Sequence, residues 1–333
     1  MSERGEAKAV CWVVTDGRAG IEAQAMGLAE AVAEIAPIAI VRKRIDIRSP
    51  WRFLPWSLWG GGLSRLSATS DPLSAPFPDI WIGCGRLSTP LTIAVKKRSP
   101  KTFTVQLQDP RAPTSLFDLV IPPAHDRLVG DNVFSIIGSP GRLGAGIKET
   151  ASSAGGEIKS LAVLVGGPNR AFRMTEDVVI ELADTLAGLA ASGVRLRVTT
   201  SRRTPAEAAK ILMSSLPDAA AFYSVGLDAP ENNPYPAMLK ECDAIVVTED
   251  SVNMATEAAA TGKPVFVAKL KRRPFASSTK FDAFHMSLRE YGAARPFAGK
   301  LESWTYTPLD ETRRAAREVV RRWREHASRP RVR

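Results

Sequence analysis

The chain has 333 residues, 44% hydrophobic and 24% charged, with 45 basic and 35 acidic side chains for a formal charge of +10. That length exceeds one ordinary core, the composition is that of a globular protein, and no apolar run approaches the ~20 residues needed to cross a bilayer. The basic surplus suits phosphate-bearing ligands or an anionic membrane surface, whereas zinc-finger and RNA-recognition signatures are absent, so nucleic acid is not expected as a partner.

The first ten residues contain acids and lead directly into a strand, AVCWVVT (9–15), so no secretory or transit peptide is expected. Asp16-Gly17-Arg18-Ala19-Gly20 forms a turn into a helix whose buried stripe is Ile21, Ala25, Leu28, Val32 and Ile35. Gln24 sits at the edge of that stripe, one turn in. Further strands are expected at 38–42, 79–83, 103–108, 118–122 and 133–137. Between the first two lies a segment with Trp51, Trp56 and Trp59 within nine residues, followed by Gly60 to Gly62. Aromatics mixed with Arg52 suit a membrane-interface patch or a greasy acceptor groove, and equally a loop folded onto the first core. Cys11, Cys84 and Cys242 lie in apolar runs without CxxC spacing, so neither a disulfide frame nor a zinc site is expected.

Gly138 to Gly156 is rich in Gly, Ser and Ala and reads as a linker. The pattern then restarts. LAVLVGG (161–167) is a strand ending in glycines, Thr175 to Ala190 a helix, and VRLRVTT, AAFYSV and AIVVT are strands with helices between them. The last helix carries Arg313, Arg314, Arg317, Arg321, Arg322 and Arg324 around a stripe of Ala316, Val319, Val320 and Trp323. Alternating strands and helices predict an α/β protein of two Rossmann-like halves, residues 1–150 and 151–305, facing each other across a cleft.

In an open parallel sheet, ligands bind beyond the carboxyl ends of the strands. TEDSVNMATEAAATGKPVFV (248–267) supplies such an end. The helix start around Ser251, Asn253 and Met254 offers backbone donors to an anion, and Glu257 further in can accept from a pair of sugar hydroxyls. Asp250 beside a phosphate is unfavourable, so it is expected to cap the helix or meet a cation. Gly166, Gly167, Asn169 and Arg170 follow one strand and Arg202 and Arg203 another, all placed to assist a diphosphate. Tyr235 is expected at the base. In the first half Gly17, Arg18, Gly20 and Gln24 line the acceptor side, and the candidates for a general base on an acceptor hydroxyl are Asp16, Asp109 and His125. No metal-spaced acids, HExxH or GxGxxG appears, so neither a metal nor a resident nicotinamide cofactor is expected.

The ordered motifs DGRAGIEAQAMGLAEA, VQLQDPR, LVGGPNRAF, TSRRTP, NPY, TEDSVNMATEAAATGKPV and ARPFAG together resemble the mitochondrial-fission "elongated mitochondria" family and its bacterial relatives, over about Val10 to Arg322. The resemblance implies a GT-B fold, in which residues 306–333 return as a helix to the first domain. It also implies that Glu257 is the acidic ribose contact of the donor motif, with Ser251, Asn253 and Met254 at its phosphate end. The expected protein is a bacterial-type, cytoplasmic, glycosyltransferase-like member, peripheral on the inner face of the membrane through Trp51, Trp56 and Trp59. It would take a nucleotide-diphosphate-sugar as donor substrate and pass the sugar to a hydroxyl, with a lipid-linked acceptor as one form. The alternatives are a nucleoside-diphosphate-sugar epimerase on the same fold, and a non-catalytic adaptor binding a protein or membrane partner.

Overall fold

A computed structural model describes residues 8–60, 62–142, 156–225, 234–277 and 279–329. Most of the linker expected at 138–156 therefore lies outside the described residues. The chain divides into two compact units, Met1–Gly146 with Asp310–Arg333, and Ile147–Leu309. Elements are numbered along the chain.

The first unit holds strands β1 (Ala9–Thr15), β2 (Ile38–Arg44), β3 (Ile80–Cys84), β4 (Phe103–Leu107) and β5 (Leu119–Ile121), with helices α1 (Ala19–Ile35) and α2 (Thr89–Arg98). They form one parallel sheet in the order β2-β1-β3-β4-β5. Its central strands are continuous apolar runs because both faces of a parallel sheet are covered, and every residue of β3 is buried. The strand expected at 133–137 does not form. That segment makes only single bridges, Val133 to Val120 and Ile136 to Pro123. Pro122 and Pro123 remove two amide donors from the adjoining edge, so a ladder cannot continue there.

Helix α8 (Glu311–Ser328) completes this unit. Ala315, Ala316, Val319 and Val320 are buried in the same core as Leu28, Ala29 and Val32 of α1. Its entry is pinned by Glu311, whose carboxylate accepts from Ile137 N–H at 2.8 Å, and by Thr312, whose hydroxyl accepts from Gly141 N–H at 3.1 Å. The arginines on its outer side are largely neutralised within the helix. Arg321 and Arg322 share Glu318, and Arg314 pairs with Glu311 at 2.7 Å.

The three tryptophans of 51–59 are turned inward to different degrees. Trp59 is 1% exposed in the core beside Trp12 and Trp81, Trp51 is half-buried against the same cluster, and Trp56 donates its indole N–H to Arg111 O at 2.9 Å. The segment instead exposes Phe53 (75%) and Leu58 (58%). Large aromatics bury the most area per residue, which draws the indoles inward and leaves their smaller neighbours outside.

The second unit holds β6 (Ser160–Val165), β7 (Phe172–Arg173), α3 (Glu176–Ala191), β8 (Arg195–Thr200), α4 (Ala206–Ser215), β9 (Ala221–Tyr223), α5 (Tyr235–Glu241), β10 (Ala244–Thr248), α6 (Val252–Ala259), β11 (Val265–Ala268), β12 (Lys271–Arg272), α7 (Thr279–Glu290) and β13 (Ala294–Pro296). Six strands make a parallel sheet in the order β13-β11-β10-β6-β8-β9. β7 and β12 pair separately and antiparallel. The chain winds from β6 outward to β9, then returns to β10 and winds the other way. Such a reversal leaves a crevice at the carboxyl ends of its two central strands, here β6 and β10. Each unit is thus a doubly wound α/β layer. Among the described residues no helix is long and apolar enough to cross a membrane.

Candidate functional site

At the reversal between β6 and β10, the chain after each strand is held by the other. Asp250 has no exposed side-chain surface, and its Oδ2 accepts from Arg203 Nη2 at 2.6 Å and from Gly167 N–H at 3.0 Å. Its Oδ1 accepts from the Thr248 hydroxyl at 2.7 Å, and the same hydroxyl accepts from Gly166 N–H at 2.7 Å. The two glycines are needed for space. A Cβ on Gly166 would lie 2.3 Å from Asp250 Oδ1, and one on Gly167 would lie 2.2 Å from Arg203 O. A buried carboxylate without a counter-ion would be very unfavourable, and the Arg203 guanidinium supplies it.

Several residues expected at a diphosphate have partners of their own here. Asp250 meets a cation, and Ser251 is the N-cap of α6, its hydroxyl accepting from Met254 N–H at 3.4 Å. Arg203 is committed to Asp250 and to Gly167 O at 3.1 Å. Asn169 folds its own loop, its Oδ1 accepting from Ala171 N–H at 2.7 Å and Phe172 N–H at 2.9 Å. Arg170 and Arg202 are exposed and make no ion pair among the described residues. The first amides of α6, from Val252 and Asn253, lie at its open end, where a helix favours negative charge.

Glu257, on α6, is half-buried and accepts a short hydrogen bond from the Tyr235 hydroxyl. Burial raises the pKa of both groups, and the neighbouring carboxylate raises that of Tyr235 further. Tyr235 therefore meets the acid that was expected to meet a ribose. Lys263, which carried no expectation, is buried and donates its Nζ to Leu239 O at 3.0 Å and to Lys240 O. A cation on the last carbonyls of α5 fixes the helix that carries Tyr235. Its only sequence signal is a lysine between Gly262 and Pro264, just ahead of the apolar strand β11.

In the first unit the reversal falls between β1 and β3. Asp16 lies there, clamped by Arg18, whose Nη2 is 2.8 Å and Nε 2.9 Å from Asp16 Oδ2. Gly17, at φ +74°, lets the turn close against Arg44, whose Nε a Cβ there would approach to 2.6 Å. Gly20 is exposed at the start of α1. Gln24 is buried and accepts from Gln108 at 3.0 Å and, weakly, from the Cys84 thiol at 3.8 Å. That thiol is kept protonated by burial. Asp109 accepts from Arg111 N–H at 2.8 Å, as a turn-forming side chain does. His125 lies beyond β5, 4.0 Å from Asp126. Each of the three candidate bases is thus already engaged by a neighbour.

A sequence profile of the family described as Mitochondrial fission ELM1 matches residues 19–323. A curated relative, the mitochondrial fission protein ELM1 of Arabidopsis thaliana, is 32% identical over 277 residues, covering 73% of this chain and 64% of the plant protein. The chain thus spans under two thirds of that relative's length. Among solved structures, a protein assigned as a UDP-N-acetylglucosamine 2-epimerase from Listeria monocytogenes superposes with a TM-score of 0.56 at 12% identity, covering 98% and 99% of the two chains. The glycotransferase of kitacinnamycin superposes with a TM-score of 0.50 at 12% identity, covering 96% of each. Identities this low speak for the fold alone, which is the α/β GT-B-like fold of glycosyltransferases and sugar-nucleotide epimerases.

Proposed function

The chain belongs to the mitochondrial fission ELM1 family, and from that premise we propose that its second unit binds the nucleoside-diphosphate part of an activated sugar. One observation carries the reading: a serine-capped helix starts at the sheet's reversal and presents a half-buried glutamate under two turns from its open end. The diphosphate would rest against the amides of Val252 and Asn253, with Arg170 and Arg202 as the free cations able to close on it. The ribose hydroxyls would hydrogen-bond to Glu257. Arg203 and Asn169 shape the loop beneath and hold no phosphate. Support comes from the fold, shared with a protein assigned to a UDP-sugar and with a glycotransferase.

In the transferase form of this reading, the sugar passes to a hydroxyl acceptor, soluble or lipid-linked, and the base comes from Asp16, Asp109 or His125. A second reading, binding without turnover as in an adaptor, is favoured by one feature: Asp16 is doubly held by Arg18, leaving it poorly placed to take a proton. An epimerase would convert the sugar without any acceptor.

The test is a thermal-shift series with uridine, guanosine, adenosine and thymidine diphosphate-sugars on the wild type and Glu257→Ala. One nucleotide class should raise the unfolding temperature, as a ligand at a hundredfold its Kd stabilises by about 2.7 kcal/mol. The variant should lose that rise. No response from any class, or an equal response from the variant, would refute the site. Product analysis of the responding sugar then separates transfer, epimerisation and binding alone.

A further inference from the structure

The second unit contains another concave site, on the side of β10 away from Asp250. It has a volume of about 260 Å³ and is lined by Glu249, Lys269, Arg272, His285, Met286 and Arg289, among others. Its place is the carboxyl edge of β10, β11 and β13, against α7. That edge is where parallel sheets receive ligands.

The walls are fixed by the fold. Glu249 is 9% exposed, and its Oε1 accepts from Leu270 N–H at 2.6 Å. His285 is 7% exposed, with Nε2 2.8 Å from Glu249 O and a buried Nδ1 that has no hydrogen-bond partner. Arg272 sits on β12 and makes a two-pronged pair with Asp282 at 2.5 and 3.1 Å, joining that strand to the first turn of α7. Two cations are left over. Lys269 and Arg289 line the same hollow and form no ion pair among the described residues.

The charge balance gives the ligand its sign. Three cationic side chains face two carboxyls, and Asp282 is consumed by Arg272. Burial raises the pKa of Glu249 above the ordinary carboxylate value, against the lowering effect of the Leu270 N–H. The same burial lowers the pKa of His285 and keeps the ring neutral. With Arg272 and Asp282 paired to each other, Lys269 and Arg289 outnumber the one remaining carboxyl, Glu249. The volume suits a small charged group better than a drug-sized body, for which pockets run to about 300–1,000 Å³.

We propose that this hollow binds the phosphate group of a small phosphorylated molecule, held by Lys269 and Arg289 over a floor of Glu249 and His285. It is separate from the nucleotide reading, because none of its four side chains belongs to that site. The two are joined through the main chain, since Glu249, whose carbonyl holds His285, directly precedes Asp250, and His285 also senses the charge of Asp250.

The experiment is a titration with inorganic phosphate at constant ionic strength, followed by thermal shift and by calorimetry. The wild type should respond saturably. Lys269→Ala and Arg289→Ala alter exposed side chains, should fold normally, and should each weaken the response at least tenfold. Arg317→Ala, which removes a surface cation outside both sites, should respond as the wild type does. A wild-type response that survives both pocket substitutions, or no saturable response into the tens of millimolar, would overturn the proposal. If the pocket variants lose phosphate but keep the nucleoside-diphosphate response, the two sites are independent. If the double variant Arg170→Ala with Arg202→Ala abolishes the phosphate response instead, phosphate is binding at α6 and the present assignment fails.

Discussion

Arg203 Nη2 lies 2.6 Å from Asp250 Oδ2, and the carboxylate it meets has no exposed surface while the guanidinium remains 44% exposed. The pair is the keystone of the reversal between β6 and β10. Removing one partner of a buried pair typically costs about 3–5 kcal/mol. Asp250 keeps two other donors, the Gly167 amide and the Thr248 hydroxyl, and Arg203 is partly solvated. Arg203→Ala should therefore destabilise the second unit by about 2 kcal/mol, below that range. Urea unfolding followed at Tyr223, Tyr235 and Trp304, which report on this unit, measures it. An unchanged midpoint would mean that the pair is ornamental.

The glycines make a sharper test, because the same substitution should act with opposite signs at three positions. Gly166→Ala and Gly167→Ala push a methyl to within 2.4 Å of Asp250 or of the Arg203 backbone, and each should destabilise by about 1–3 kcal/mol through forced shifts. Gly188 lies in α3 with nothing within 4 Å of an added Cβ. Gly188→Ala should stabilise by about 0.5–1 kcal/mol, the helix-interior difference between the two residues. Thermal unfolding of the three variants side by side settles the ordering.

The sequence made the alternation of strands and helices legible, because buried parallel strands such as AIVVT and LAVLV announce themselves as apolar runs closed by glycine or polar turns. The carboxyl-edge loops followed from that. What it concealed was partnership. Arg202 and Arg203 look alike on paper, and only the approach of Asp250 to Gly166 decides which of them is occupied. Trp59 and Leu58 were equally ambiguous, since a short aromatic segment has no period to assign its inner side. His285, in a run FDAFHMSL, gave no signal at all, because its partner Glu249 arrives from the chain just beyond β10.

Trp59 and Leu58 now differ in a measurable way. Trp59→Ala removes a side chain that is 1% exposed and should cost about 3–5 kcal/mol, as core aromatics do. Phe53→Ser and Leu58→Ser alter exposed positions and should stay within about 0.5 kcal/mol of the wild type. If this segment touches an anionic membrane, it does so through Phe53 and Leu58. Vesicle sedimentation with the double variant should then show weaker binding at unchanged stability.

Two carboxylates should give opposite pH dependences. Hydrogen bonds from Arg321, and then from Arg322, hold Glu318 down at about 2. Its stabilisation is present above the ordinary glutamate range near pH 4 and is lost as pH falls from there toward 2. Both arginines are partly solvated, so Glu318→Gln should cost only about 1 kcal/mol at pH 7, a gap that narrows at pH 3. Glu257 is raised by burial, so the strain of ionising it is absent below the ordinary range and grows as pH rises through its folded value. Glu257→Gln should consequently raise the unfolding temperature at pH 7 and leave it unchanged at low pH. Denaturant curves at the two pH values distinguish the signs.

Tyr235 decides what the ribose must displace. Its hydroxyl donates to Glu257 Oε2, and a sugar diol requires the same carboxylate. A hydrogen bond to a charged group contributes about 1.5–3 kcal/mol, so a ligand that breaks this one begins at a disadvantage. Tyr235→Phe leaves Glu257 without that donor before binding and returns the disadvantage to the ligand as affinity. The variant should therefore be less stable than the wild type, yet bind the responding nucleotide-sugar about tenfold more tightly, equivalent to ~1.4 kcal/mol. Calorimetric titration of both proteins measures the ratio. A weaker ligand in the variant would mean that Tyr235 stays in place and helps to hold the nucleotide, so that the hydroxyl and the ribose share Glu257 instead of competing for it.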